Sequence, residues 1–235
     1  MKFSRIFVFL LLGYVLPGYG QNTGEDRLGS WYMYFGQNRI ADKWSIHSEA
    51  QFRYYHLYDN FNQLLLRTGL NYDITPEAMV TLGYAYIDTD PTFEDAVPGE
   101  ASFLENTLKE HRIFQQFILR NKIKTVEVEH RYRLEQRFFE DSFSSFTEHR
   151  ARYRVLLTLP LNEKWFLSAY NEIFINLQDP LFNQNRIYGA VGYRFKKNAN
   201  IQFGYLKNHF SNVHFDRLQL ALFYNLDFRK KDVSQ

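Results

Sequence analysis

The sequence predicts an all-β fold, a transmembrane antiparallel up-and-down β-barrel of about ten to twelve strands behind a cleaved signal peptide. Three observations carry this. Long segments alternate apolar and charged residues with a period of two. After the N-terminus there is no apolar run long enough for a membrane helix of ~20 residues, so any span must be a strand. The interruptions between segments alternate in length, as the two ends of an outer-membrane barrel do. The stretch from Val126 to Phe138 shows the first point best: Val126, Val128, His130, Tyr132, Leu134, Gln136 and Phe138 occupy one face. The other face carries Glu127, Glu129, Arg131, Arg133, Glu135 and Arg137, because successive strand side chains point to opposite sides. Ten such segments with an apolar outer and a charged inner set describe a barrel with lipid outside and charge within.

The N-terminus sets the expected compartment. Met1–Arg5 is a short basic stretch, Ile6–Val15 an apolar run, and Gly18 and Gly20 precede Gln21 as small cleavage-site residues. This is a signal-peptide pattern over 1–20, and it leaves 21–229 as one barrel domain and 230–235 as a polar tail. The chain has no cysteine, so neither a disulfide nor a lipid-modified cysteine is available. A net charge of +2, with no basic tract and no glycine-rich phosphate loop, gives no support for a nucleic-acid or nucleotide partner. Aromatic residues make up 18% of the chain while the mean hydropathy is −0.43, a combination expected when only alternate residues meet lipid.

Taken in order, the first segment is Leu28 to Gly36, with Trp31, Met33 and Phe35 on one face. Lys43 to His56 turns Trp44, Ile46, Ala50, Phe52 and Tyr54 outward and Ser45, His47, Glu49, Gln51 and Arg53 inward. Phe61 to Asp73 has Leu64, Leu66, Leu70 and Tyr72 outward, with Gln63, Arg67, Gly69 and Asn71 inward. The fourth segment shows Val80, Leu82, Tyr84 and Tyr86 on one face. The longest interruption, Asp88 to Lys109, is acidic and carries two prolines. Glu110 to Arg120 is the fifth segment, and the charged stretch above is the sixth. Glu148 to Leu159 turns Glu148, Arg150, Arg152 and Arg154 inward and Tyr153, Val155, Leu157 and Leu159 outward. Trp165–Asn176, Arg186–Lys196, Ile201–Asn208 and Phe215–Arg229 complete the set.

Eleven segments sit awkwardly with the even strand number of single-chain bacterial barrels, and a barrel of segments two to eleven leaves the first segment to be accommodated otherwise. The short turns assign the periplasmic end. Asp42-Lys43-Trp44 and Glu163-Lys164-Trp165 place tryptophans at equivalent points after them, so Trp44 and Trp165, with Tyr54 and Tyr86, are the expected interface aromatics. Every proline after the signal peptide falls in an interruption, as ladder hydrogen bonding requires. Leu218, Leu220, Leu222, Tyr224, Leu226 and Phe228 alternate to a terminal aromatic. This resembles the C-terminal strand signal read by the outer-membrane barrel assembly machinery, although the tail 229–235 runs past the usual endpoint.

The ordered motifs L-G-S-W (Leu28–Trp31), D-K-W-S (Asp42–Ser45), H-R-I-F-Q-Q (His111–Gln116), H-R-Y-R-L-E-Q-R-F (His130–Phe138) and N-Q-N-R-I-Y-G-A-V-G-Y-R-F (Asn183–Phe195) resemble the DUF2490 family. That resemblance covers essentially the whole mature chain. It implies an outer-membrane β-barrel of the Bacteroidota type and brings no established activity.

Chemistry is weighed from the residues. Glu-His-Arg recurs at Glu110, Glu129 and Glu148, 19 residues apart, yet alternation puts each histidine on the opposite face from its glutamate and arginine. One metal site needs ligands on one face, so no metal and no cofactor are expected. Ser144 or Ser145 with His149, or Ser102 with His111, is the only raw material for a lipid-modifying hydrolase, and no orienting acid accompanies it. The strongest feature is the inward set Glu127, Glu129, Arg131, Arg133, Glu135, Arg137, Glu148, Arg150, Arg152 and Arg154. On adjacent strands these residues pair as ion ladders. They either fill an occluded structural or scaffold barrel or line a narrow pore whose arginine excess favours small anions. The expected protein is a monomer in the outer membrane of a Gram-negative bacterium, in contact with its lipids.

Overall fold

The computed structural model of the protein describes residues 27–91, 93, 107–140 and 145–229. The signal-peptide segment 1–20, the tail 230–235, most of the Asp88–Lys109 loop, Ser102 and Ser144 lie outside the described residues. Eleven strands form one closed barrel: β1 (Leu28–Arg39), β2 (Trp44–Tyr54), β3 (Phe61–Asp73), β4 (Ala78–Thr89), β5 (Leu108–Ile123), β6 (Val126–Glu140), β7 (Ser145–Pro160), β8 (Trp165–Asn176), β9 (Phe182–Lys196), β10 (Ala199–His209) and β11 (His214–Tyr224). Each strand pairs antiparallel with its sequence neighbour, and β1 closes the ring by pairing in parallel with β11. The parallel seam follows from the odd number. In an up-and-down chain the first and last of eleven strands run the same way, so only a parallel ladder can join them.

The first segment is therefore a full member of the wall, and its face is the reverse of the general pattern. Trp31, Met33 and Phe35 point into the barrel interior, while Tyr32 lies outside against Tyr54. The last strand is shorter than its alternation suggests. It ends at Tyr224, and Asp227 then makes an isolated parallel bridge to Arg39. Backbone bonds from Arg39 N–H to the Leu226 carbonyl and from Phe228 N–H to the Arg39 carbonyl extend the seam to the short-turn end. Arg229 holds that end with ion pairs to Asp42 and Asp227.

Three of the short turns share one geometry. At Ile40–Trp44, Ile74–Ala78 and Leu161–Trp165 the first two N–H groups both reach the carbonyl of the last residue. In two of them a polar side chain caps the turn: Thr75 Oγ1 accepts from Glu77 and Ala78 N–H, and Asn162 Oδ1 from Lys164 and Trp165 N–H. Trp44 packs against Tyr72 at 4.7 Å and Trp165 against Tyr193 at 4.8 Å, the ring planes tilted by 53° and 52°. Both tryptophans are on the outer face and more than 40% exposed.

The outer face is apolar around the ring, with Leu66, Leu82, Ile113, Ile187 and Phe203 among its exposed side chains. The interior holds the polar residues together with a few large rings. Phe114 and Phe174 are almost fully buried and face inward. Gly83 makes room for the first: a Cβ there would stand 2.2 Å from the Phe114 Cζ.

Candidate functional site

β6 and β7 are where alternation and register meet. Their ladder sets Glu135 opposite Arg150 and Arg137 opposite Glu148, but also Arg133 opposite Arg152 and Arg131 opposite Arg154. Half of these direct neighbours are like-charged, which is destabilising in isolation. Relief comes diagonally and from other strands. Glu135, with no side-chain exposure, is the hub: its Oε2 accepts from Arg150 Nε (2.9 Å) and Nη2 (2.7 Å). Its Oε1 accepts from Arg152 Nη1 (2.6 Å) and more weakly from Arg112 Nη1 (3.4 Å), with Arg133 at 3.7 Å. Arg152 then reaches Glu172 on β8 (2.8 Å), which also receives Arg131 (2.7 Å).

The network continues toward both ends. Glu110 on β5 accepts from Arg112 and Arg137, and Arg137 also holds Glu148. Near the short turns Glu129 joins Arg154 and Arg120. A second centre forms on β2 and β3, where Glu49 is bound by Arg67 (2.6 Å) and His47 (2.9 Å) and accepts a short bond from Gln51. Guanidinium groups lie on the buried rings: Arg133 over Phe114 at 4.7 Å, Arg152 over Phe174 at 4.1 Å. Such stacking offsets part of the cost of removing an arginine from water.

These ion pairs join the same or nearby strands, most of them along the wall of β5 to β8 and a smaller group on β2 and β3. They leave an interior cavity of about 600 Å³ whose lining extends from Tyr55 and Phe210 beside the long loops to Thr158 and Asn225 beside the short turns. Arg131, Arg133, Arg137, Arg150, Arg152, Arg154 and Glu129 line it, as the alternation requires. Glu135 is buried behind them. Glu148 stands with its side chain 31% exposed, paired to Arg137. Glu127 is exposed at the short-turn end and is not among the cavity's lining residues.

The other sequence candidates separate. Tyr54 packs against Tyr32 and Phe61, and Tyr86 against His111, at the long-loop end of the outer face. His111 and His130 bond the outward hydroxyls of Tyr84 and Tyr153, away from the inward glutamates and arginines flanking them in sequence. Ser145 and His149 sit on one strand four residues apart, a separation of roughly 13 Å along a strand, so they form no nucleophile–base pair.

Sequence reasoning missed Glu172, Arg186 and Arg217 as members of the charged interior. The parity of Ser168 and Asn176 against the outward Trp165 places Glu172 inside, so that signal was present. The inward rings Phe114, Phe166 and Phe174 share parity with polar neighbours, but a rule that turns apolar residues outward hides them.

Fold and site together define a closed eleven-stranded β-barrel with an ion-paired, arginine-rich interior and an apolar exterior. The chain belongs to the DUF2490 family, described as a protein of unknown function, which matches residues 28–219. No curated protein and no solved structure matches it.

Proposed function

We propose that this protein is an outer-membrane β-barrel whose interior is a narrow passage for small anions. Membrane insertion is supported by the outer face. A continuous belt of exposed leucine, isoleucine, phenylalanine and tyrosine is unstable in water and suited to lipid, and the Trp44 and Trp165 pairs form an aromatic girdle at one rim. No helix among the described residues is long and apolar enough to cross a membrane, so strands are the spanning elements. The short-turn end is then periplasmic. Leu218–Phe228 is the segment offered to the barrel assembly machinery, and the barrel works as a monomer.

The observation that carries the passage is the charge of the cavity lining: twelve arginines against four glutamates. A positive excess in a low-dielectric interior concentrates anions and excludes cations. The volume sets the size class. Spread over the roughly 30 Å spanned by tilted strands, about 600 Å³ gives room for a file of water and small ions. Refolded protein in a planar bilayer should give discrete anion-selective steps, and R131E/R154E should reduce the anion preference. Unchanged selectivity in that variant removes the passage. Brominated lipids should quench Trp44 and Trp165 strongly; no quenching removes membrane insertion.

The second reading is an occluded structural barrel. Its support is the crossing at Trp31, which comes from β1 and touches Arg53 of β2 and Arg186 of β9. A correctly folded barrel with no current under any salt gradient would favour it.

A further inference from the structure

Three arginines near the long-loop end of the interior lack what the network arginines have. Arg53 gives its N–H groups to amide oxygens, Gln51 Oε1 (2.5 and 3.0 Å) and Gln63 Oε1 (2.6 Å). Arg186 makes one long bond to Gln184 Oε1 (3.4 Å), and its buried Nε–H has no acceptor. Arg217 bonds the backbone carbonyls of Arg27 and Asp216. Among the described residues none of the three has a carboxylate in ion-pair contact. Buried charge without a counter-charge is costly; Arg53 and Arg186 both lie on Trp31 of β1, and Arg217 lies against Gly29 of the same strand.

Trp31 lies between two of them, with the Arg53 guanidinium 3.8 Å and the Arg186 guanidinium 5.0 Å from its ring. Only 6% exposed, Trp31 buries its indole N–H with no acceptor. Gln219, its register partner across the parallel seam, likewise buries an unpartnered Nε2. Tyr188 and Leu206 pack with the indole as an apolar cluster. All of these side chains except Leu206, which is fully buried behind Tyr188 and Trp31, line the interior cavity. The site thus has surplus positive charge and surplus N–H donors beside an apolar floor. Its complement is negatively charged, accepts hydrogen bonds through two oxygens, and has an apolar body.

We propose that Arg53, Arg186 and Trp31 form a binding site for a small carboxylate carrying a flat apolar group, with Arg217 and Gln219 at its edge. The carboxylate takes the guanidinium N–H groups and the indole N–H, since charge-assisted forks of this kind are the strong ones. The apolar group lies against Tyr188, which Leu206 backs from behind. Hydrated inorganic anions match the donors but not the floor. The proposal deepens the anion reading of the interior by naming a solute class, and needs only that the solute reach the site, not that it cross.

Trp31 is its own reporter, because Trp44 and Trp165 lie on the outer face. Benzoate titrated into the refolded barrel in micelles should change tryptophan emission saturably, and the saturable part should vanish in W31F. R186Q and R53Q should each weaken the affinity by about tenfold or more, the scale of one lost charge-assisted hydrogen bond. Inorganic phosphate at the same concentrations should bind far less. A response that persists in W31F, an affinity unmoved in the R53Q/R186Q double variant, or phosphate as effective as benzoate overturns the proposal. Heat-modifiable gel mobility establishes that each variant is folded. Binding is read without a bilayer, so a barrel that binds benzoate yet carries no current retains this site and loses only the passage.

Discussion

The wall made by β5 to β8 and the wall made by β9, β10, β11 and β1 enclose the same cavity by opposite means. On the first, arginine and glutamate alternate densely, and every inward carboxylate of the core network is shared: Glu135, Glu172 and Glu110 each receive at least two guanidinium groups. On the second the inward side chains are mostly amides, rings and aliphatics, and Arg186, half-buried, and Arg217, buried, make no ion pair with a carboxylate. The first wall resembles a structural lattice, with partners satisfied and geometry fixed by bidentate pairs. The second has unsatisfied donors beside apolar surface, as binding sites do. A charged interior is therefore no single functional signal; the location of the unpaired charge is the informative part.

The largest expected effect tests the lattice. E135Q removes the carboxylate that Arg112, Arg133, Arg150 and Arg152 share and leaves Arg133 and Arg150 without an ion pair, and breaking a buried pair of this kind costs about 3–5 kcal/mol. The urea midpoint of the barrel in micelles should fall accordingly, and a loss below about 1 kcal/mol, the worth of an exposed pair, would show the hub to be solvated. G83A comes next. Its methyl meets the Phe114 ring, which in turn seats Arg133, so overpacking should cost about 1–3 kcal/mol. If G83A is neutral, the ring is free to move and the wall is softer than its ion pairs imply.

R186Q should move stability the other way. Removing a buried charge that has no partner leaves the fold equally stable or up to about 2 kcal/mol more stable, while benzoate affinity and anion preference decline. A destabilised R186Q would place Arg186 with the lattice and erase the contrast between the walls. The smallest effect is at the short-turn end of the seam. Hydrogen bonds from Arg229 hold the Asp227 carboxyl down at about 2. A depressed carboxyl contributes above its unfolded pKa and loses that contribution as pH falls through the folded value. Amide exchange at Phe228, corrected for intrinsic rate, should thus be constant through mild acid, begin to accelerate as pH falls below 3.8, and level off only below about 2. D227N should show the accelerated rate at neutral pH.

The sequence by itself determined the strands, the two faces of most of them, and the end at which each turn lies. Alternation with period two leaves little freedom in a wall that is apolar on one side, because a one-residue slip would send every charge outward. It also placed Arg131 to Arg137 and Arg150 to Arg154 on one inward surface, since parity is a local property. It did not determine how the ring closes. Whether Leu28–Gly36 joins the wall depends on its pairing with a strand almost two hundred residues away, and Trp31, Met33 and Phe35 share a face whose direction only that pairing decides. Nor did it determine which charges are paired. Register sets Arg133 beside Arg152 and Arg131 beside Arg154, and only the position of Glu172 on β8 and the diagonal reach of Glu135 make those neighbours tolerable. Arg186 and Arg217 have the same local parity as the paired arginines. Tertiary structure alone decides that neither forms an ion pair: Glu172 stands directly across the ladder from Arg186 but is taken by Arg131 and Arg152, because ion pairing depends on distance across the barrel rather than on order along the chain.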